Sequence, residues 1–154
     1  MNWEAVSAIA TAASGLFVLV SVVMLAWQIR ELRTATYAQS YMRALELLSD
    51  EETRNARAIV YGILDQRKPL ESWSRAEIVA AERVCGRYND VGMMVRYKMV
   101  PRNFIMDSYE ESLGRSWDGV TPLVEHYRKT RSNQVYNAFE FLAKQSRYRQ
   151  EDDD

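Results

Sequence analysis

The chain has 154 residues with 20 basic and 21 acidic side chains, and its net charge at pH 7 is −1. Such a balance lacks the basic excess typical of nucleic-acid-binding proteins, and a single cysteine, Cys85, excludes an internal disulfide. Hydrophobic residues make up 47% of the chain although its mean hydropathy is only −0.36, which predicts that apolar residues are concentrated in one part of it.

That part lies near the N-terminus, where residues 5–29 contain no charged side chain. Twenty-five helical residues rise about 37 Å, which exceeds the roughly 30 Å hydrocarbon core of a bilayer. Trp3 and Trp27 flank the stretch, and indole rings favour the membrane interface. We therefore expect one transmembrane helix.

Three alternatives fit the apolar stretch less well. A secretory signal peptide needs a basic start, and Met1–Glu4 has none. A helix lying on the membrane surface would carry a charged face. A buried helix of a soluble protein rarely runs uncharged for this length.

The charges that flank the stretch predict its orientation. Arg30, Arg33 and Arg43 follow it, whereas only Glu4 precedes it. Because basic flanks stay in the cytoplasm, we expect the N-terminus outside and the C-terminal domain inside the cell.

Small residues recur at every fourth position in the outer half of the stretch, at Ser7, Thr11 and Gly15. Such a face lets helix backbones approach closely, which predicts a helix-association face and a homo-oligomer. The alternative is that a membrane helix merely tolerates small residues.

The whole chain divides into four parts. We expect residues 1–29 to hold the N-terminal flank and membrane helix and 30–48 a juxtamembrane helix. Residues 49–148 are then a helical cytosolic domain and 149–154 an acidic tail.

Within the cytosolic domain, capping boxes predict two helix starts, because Ser followed three residues later by Glu satisfies free N–H groups. The boxes are Ser49–Glu52 and Ser74–Glu77, with helix ends expected near Gln66 and Lys98.

The second half of the domain also reads as helices. We expect one from Pro101 to Gly114, a short segment with Trp117, another from Pro122, and a last helix that includes residues 135–142. In no segment do apolar and polar residues alternate over a length sufficient for a strand. The fold class is therefore all-α: one N-terminal transmembrane helix followed by an irregular bundle of five or six helices.

Residues that could carry chemistry are few. His126 is the only histidine, and neither zinc-ligand spacing nor a glycine-rich phosphate loop occurs. Cys85 and His126 are conceivable as nucleophile and base, but Cys85 lies on the apolar face of its helix, where a cysteine is usually buried. We expect no catalytic, cofactor-binding or metal-binding residue.

One polar group on the helix after Ser74 has two interpretations. Arg83, Arg87 and Asp90 follow at i, i+4 and i+7, with Glu82 beside them. The first interpretation is a polar pocket or salt-bridge network. The second, which we favour, is a solvated face with a weak Arg87–Asp90 pair.

Two short basic clusters lie nearer the C-terminus. The first comprises Arg128, Lys129 and Arg131, and the second Arg147 and Arg149. On a domain tethered to a membrane these side chains are candidates to contact anionic lipid head groups, although a solvated surface is the default.

Several segments resemble a family of small uncharacterised bacterial membrane proteins, a domain of unknown function. They are Arg87-Tyr88-Asn89-Asp90-Val91-Gly92, Met99-Val100-Pro101, Trp117, Tyr127-Arg128 and Tyr136-Asn137-Ala138-Phe139-Glu140-Phe141-Leu142. The resemblance covers roughly residues 50–145. It implies one N-terminal membrane helix, a helical cytosolic domain and the bacterial inner membrane, and it supplies no catalytic residue.

We therefore expect a membrane-anchored, non-enzymatic interaction or regulatory module. It would contact membrane lipid, self-associate through the membrane helix or hold an unidentified protein partner at the inner membrane face, without nucleic acid. The alternatives are a membrane-tethered enzyme acting on lipid or nucleotide through Asp90 and Glu82, and a small subunit of a larger membrane complex.

Overall fold

Helices joined by short turns make up the described part of the chain, and no strand occurs there. The computed structural model describes the backbone of residues 3–153, together with the side chains in that range other than those of 4–13, 33–35 and 150–153. The elements are α1 (Trp3–Ser49), α2 (Glu51–Asp65), a 3₁₀ turn (Leu70–Ser72), α3 (Arg75–Arg96), α4 (Arg102–Thr130) and α5 (Asn137–Asp153). The expected all-α fold is confirmed.

The chain forms two compact units, Met1–Gln39 and Ser40–Asp154. In the first unit α1 exposes its apolar side chains, with Leu16 66% and Phe17 75% accessible. By length and composition α1 is able to cross a membrane, and no residue in its most apolar stretch is buried.

The second unit has α3 as its central helix. α3 packs against α2, α4 and α5, because its apolar positions recur on more than one face. Tyr88 of α3 is fully buried and stacks on Phe139 of α5, with ring centroids 4.8 Å apart. Trp117 of α4 meets the same Phe139 ring edge-on at 5.0 Å, so these aromatic rings join three helices.

The two expected capping boxes have different outcomes. Ser74 and Glu77 form one at the start of α3, as expected. At α2 the cap is Asp50, whose side chain accepts from the Glu52 N–H, while Ser49 remains inside α1. The Ser49–Glu52 box was therefore wrong: Ser49 is the last residue of α1, and Asp50, an equally good cap, is the residue directly before α2.

α4 runs unbroken through Gly114 and Pro122, so the expected breaks there were wrong. Proline supplies no N–H for the carbonyl of Asp118, one turn earlier. Both Pro122 and Asp118 are exposed, so water can satisfy that carbonyl. Burial of Val120 and Leu123 on the opposite face holds the helix together across this point.

The last helix begins later than expected. Val135 and Tyr136 lie in a turn before α5, and Tyr136 has a positive φ of 56°. A left-handed residue cannot continue a helix, which explains why α5 starts at Asn137.

Candidate functional site

The expected helix-association face is described only in part. The side chains of Ser7 and Thr11 lie outside the described residues. Gly15 lies in α1, and a Cβ atom added there would meet nothing within 4 Å. The single chain thus leaves this position open.

The expected polar group on α3 is divided among different neighbours. Glu82 accepts a hydrogen bond from the phenol of Tyr127 on α4 at 2.5 Å. Arg83 forms an ion pair with Glu52 of α2. These adjacent residues therefore contact different helices instead of converging on one site.

The other two members of that group are Arg87 and Asp90. Asp90 is exposed, and Arg87 lines a groove of about 270 Å³ together with Arg43, Glu46 and Leu47 of α1. Among the ion pairs of the described residues, none joins Arg87 to Asp90.

A polar cluster inside the second unit was missed. It comprises Arg57, Tyr61, Tyr88, Ser112 and Ser116, which we call the hydroxyl cluster. Ser112 Oγ lies 2.6 Å from Tyr88 Oη and 3.0 Å from Tyr61 Oη. Arg57 Nη1 donates to Tyr88 Oη at 3.2 Å, and Ser116 Oγ donates to Tyr61 Oη at 3.5 Å.

The hydroxyl cluster is built to hold helices in register. It has no carboxylate or imidazole that would accept a proton from Ser112, so the serine is not activated as a nucleophile. Its bonds join residues 24 to 55 positions apart and link α2, α3 and α4. The sequence feature that could have indicated the cluster is the pair Ser112 and Ser116, two polar residues at i and i+4 beside the buried Leu113.

Cys85 and His126 do not form a catalytic pair. Cys85 is fully buried, and burial raises the pKa of its thiol far above the usual range, so that it stays protonated. His126 is exposed on α4. A nucleophile and its base must lie within hydrogen-bond distance, which this arrangement does not provide.

Open grooves elsewhere on the second unit are lined by mixed polar residues. One of about 400 Å³ lies between the start of α4 and the end of α5, and another of about 510 Å³ lies between α3 and the turn before α5. Within the described side chains, no buried nitrogen or oxygen lacks a hydrogen-bond partner. In the same part of the chain, no group of three or more acidic, histidine or cysteine residues could hold a metal ion.

Three of the five cations in the two basic clusters pair with neighbouring carboxylates. Arg128 pairs with Glu140 at 2.8 Å, Arg147 pairs with Asp118, and Arg149 pairs with Asp107 at 2.7 Å. Arg131 lies over the ring of Tyr127 at 3.9 Å. These cations stabilise helix contacts, which makes them poor candidates for binding lipid.

Comparison with known families decides what kind of domain this is. A family model described as a domain of unknown function, DUF4760, matches residues 15–146, which is well over half of the chain. The chain belongs to the DUF4760 family. The expected resemblance to an uncharacterised domain is confirmed, and the DUF4760 match extends from α5 back into the apolar part of α1. No curated protein and no solved structure matches the chain.

Proposed function

We propose that this DUF4760 protein is a single-pass protein of the bacterial inner membrane, with its N-terminus outside and its helical domain in the cytoplasm. The domain acts as a non-enzymatic interaction or regulatory module, which self-associates or holds a partner protein at the inner membrane face.

The exposed apolar surface of α1 is the observation that carries this proposal. Leu16, Phe17 and Trp27 are 66%, 75% and 65% accessible, and the stretch around them is uncharged. A core helix of a soluble protein is covered by its own fold, whereas this helix has no such cover. Contiguous apolar surface of this kind marks contact with a membrane or another protein, and the length of the stretch favours a membrane.

The cytoplasmic location is supported by the basic residues that follow the apolar stretch. Arg30, Arg33 and Arg43 lie within fifteen residues of Ile29, the distance over which basic residues act on topology. A single cysteine, Cys85, also suits a reducing compartment.

A non-enzymatic role is supported by the state of the two acidic candidates. The carboxylate of Glu82 is engaged by the Tyr127 phenol, and Asp90 is exposed on α3. A catalytic carboxylate is expected in a concave pocket that can hold a substrate, and neither residue lines the three grooves described above.

Reporter fusions test the topology. A reporter active only in the periplasm, fused after Asp154, should be inactive, and a cytoplasmic reporter should be active. Arg30→Gln with Arg33→Gln should weaken this preference, whereas Arg147→Gln with Arg149→Gln should not, because only the first pair flanks the span. A shortened, soluble product would instead identify a cleaved signal sequence.

Native electrophoresis of the detergent-extracted full chain tests the interaction module. We expect a dimer, a larger oligomer or a complex with a second protein. A monomer with no associated protein would contradict the proposal.

A further inference from the structure

The turn that joins α3 to α4 exposes large apolar side chains at its tip. We call residues 96–104 the α3–α4 tip. Tyr97 is 70% accessible, and Met99 and Phe104 are each 48% accessible. Val100 between them is 1% accessible, so the tip is anchored in the core while its neighbours point outward.

Backbone hydrogen bonds hold the α3–α4 tip in this shape. Lys98 has a positive φ of 58°, and its N–H donates to the carbonyl of Val95 at 3.0 Å. The N–H of Met99 donates to the carbonyl of Met94 at 2.8 Å. These bonds form a Schellman motif, which ends α3 and presents Tyr97 and Met99 on a rigid turn.

The same tip carries three exposed cations, Arg96, Lys98 and Arg102, and residues 91–106 contain no acidic side chain. None of the three takes part in the ion pairs of the described residues. In this they differ from Arg128, Arg147 and Arg149 near the C-terminus.

The hydrogen bonds of these cations go to neutral acceptors. Arg96 donates to Asn137 Oδ1 at 3.2 Å, and Arg102 donates to Gln145 Oε1. Their positive charge therefore remains available to an anionic surface. Asp107, the nearest acidic residue beyond the tip, is paired with Arg149.

The α3–α4 tip also lies where the chain enters the second unit. The ring of Phe104 packs against that of Tyr41, with centroids 5.2 Å apart, and this unit begins at Ser40. Tyr41 lies only twelve positions after Ile29, the last residue of the apolar stretch. Such a segment spans at most about 43 Å, which keeps the tip within reach of whatever surface holds the stretch.

We propose that the α3–α4 tip docks onto anionic lipid head groups of the membrane that anchors α1. Arg96, Lys98 and Arg102 contact lipid phosphates, and the apolar parts of Tyr97, Met99 and Phe104 enter the interface. Charge complementarity favours this occupant, because unpaired cations beside exposed aromatic and thioether groups match a negatively charged lipid surface. The inference rests on the membrane anchor proposed above.

Depth-dependent quenching tests the proposal on the full chain in nanodiscs. An environment-sensitive fluorophore is attached at Met99→Cys, and Cys85 stays in place because its thiol is buried and protonated. The matched control is Val79→Cys, another exposed apolar position about 26 Å along α3 from Arg96. A third label at Val18→Cys reports whether α1 itself is in the bilayer.

With phosphatidylcholine and phosphatidylglycerol together, spin-labelled lipid should quench the labels at 18 and 99 but not the label at 79. Quenching at 99 should fall in phosphatidylcholine alone and at high salt. Each of Arg96→Gln, Lys98→Gln and Arg102→Gln should lower the ratio of docked to undocked domain by about fivefold in low salt.

Three results would overturn the inference. If the label at position 18 is quenched and the label at position 99 is not, α1 is in the bilayer but the α3–α4 tip does not dock on it. If the label at 99 is shielded without being quenched, another protein or a second copy covers the tip. If the label at position 18 is not quenched, α1 is not in the bilayer, and both the proposed membrane anchor and the proposed docking are wrong.

Discussion

The phenol of Tyr127 donates a 2.5 Å hydrogen bond to Oε1 of Glu82, across the contact between α4 and α3. Burial first, and then this hydrogen bond, raise the pKa of the Tyr127 phenol, so it remains a donor well above neutral pH. The bond engages one of the two acidic candidates for catalysis in a contact between helices.

Tyr127→Phe should lower the free energy of unfolding by about 1 kcal/mol, because the ring still packs while the bond to the carboxylate is lost. Urea titration of the full chain in mild detergent, followed by circular dichroism, measures this change. Tyr97→Phe is the matched control, since Tyr97 is 70% accessible and should change nothing. Equal effects would mean that the bond to Glu82 contributes no stability.

Gly92→Ala should destabilise the domain, because α3 and α5 touch at this glycine. An added Cβ would meet the backbone carbonyl of Ala138 closer than real Cβ contacts allow, and backbone cannot rotate away. We expect a loss of about 1–3 kcal/mol, as for other overpacked cores. Gly86→Ala on the same helix is the control, since its Cβ would meet nothing within 4 Å. That variant should be neutral or gain up to about 1 kcal/mol from higher helix propensity.

Arg67→Gly should stabilise the domain by about 0.5–1 kcal/mol. Arg67 follows α2 with a positive φ of 48°, a conformation that glycine adopts without the steric cost of a Cβ atom. Gln66→Gly at the preceding position should instead destabilise, because Gln66 has an ordinary φ of −81° and gains no relief. Thermal unfolding of the two variants side by side measures the difference. A fall in stability for both would show that no strain is stored at Arg67.

Glu77 should make stability depend on pH in the acid range. Hydrogen bonds from Lys68, and then from the backbone N–H of Ser74, lower the pKa of the Glu77 carboxyl from 4.5 to about 2. A carboxyl whose pKa is lower in the folded state stabilises it above the unfolded pKa. This contribution should therefore be lost as pH falls from about 4.5 to about 2.

Glu77→Gln should flatten that part of the stability profile. Urea midpoints measured between pH 5 and pH 2 should fall less steeply in the variant than in the wild type, because the amide does not titrate. Glu111→Gln, at an exposed position of α4, is the control and should keep the wild-type slope. An unchanged slope in Glu77→Gln would remove the assignment to this carboxyl.

Local signals allowed the helices to be predicted better than their ends. The Ser74–Glu77 box was readable because both bonds form within three residues. At α2 the same pattern at Ser49 misled, since Asp50 stood beside it as a competing cap. Pro122 suggested a helix start because propensity ignores packing, and the burial of α4 on its other face outweighs the lost hydrogen bond.

The interior contacts were beyond the reach of sequence patterns. Tyr88 and Ser112 are 24 residues apart, and Arg57 is 31 residues from Tyr88, so no local period links them. The α3–α4 tip shows the reverse case. Its cations are visible in the sequence, but only the structure shows that they form no ion pair with a carboxylate. Arg128 and Arg147, by contrast, each form one.

Gly15→Ile should weaken self-association of the full chain in a membrane two-hybrid assay. In lipid, apolar burial does not favour helix pairing, so close backbone contact at small residues must supply the attraction. An added Cβ at Gly15 meets nothing within 4 Å in the single chain, so the variant should leave the monomer intact. A loss of signal would then report on contact between chains. Val20→Ile is the matched control: Val20 is 56% accessible, and its position five residues on places it about 140° around the helix from Gly15. The control should associate as the wild type does. If Gly15→Ile does so too, the face at Ser7, Thr11 and Gly15 does not pair, and any oligomer must form through the second unit.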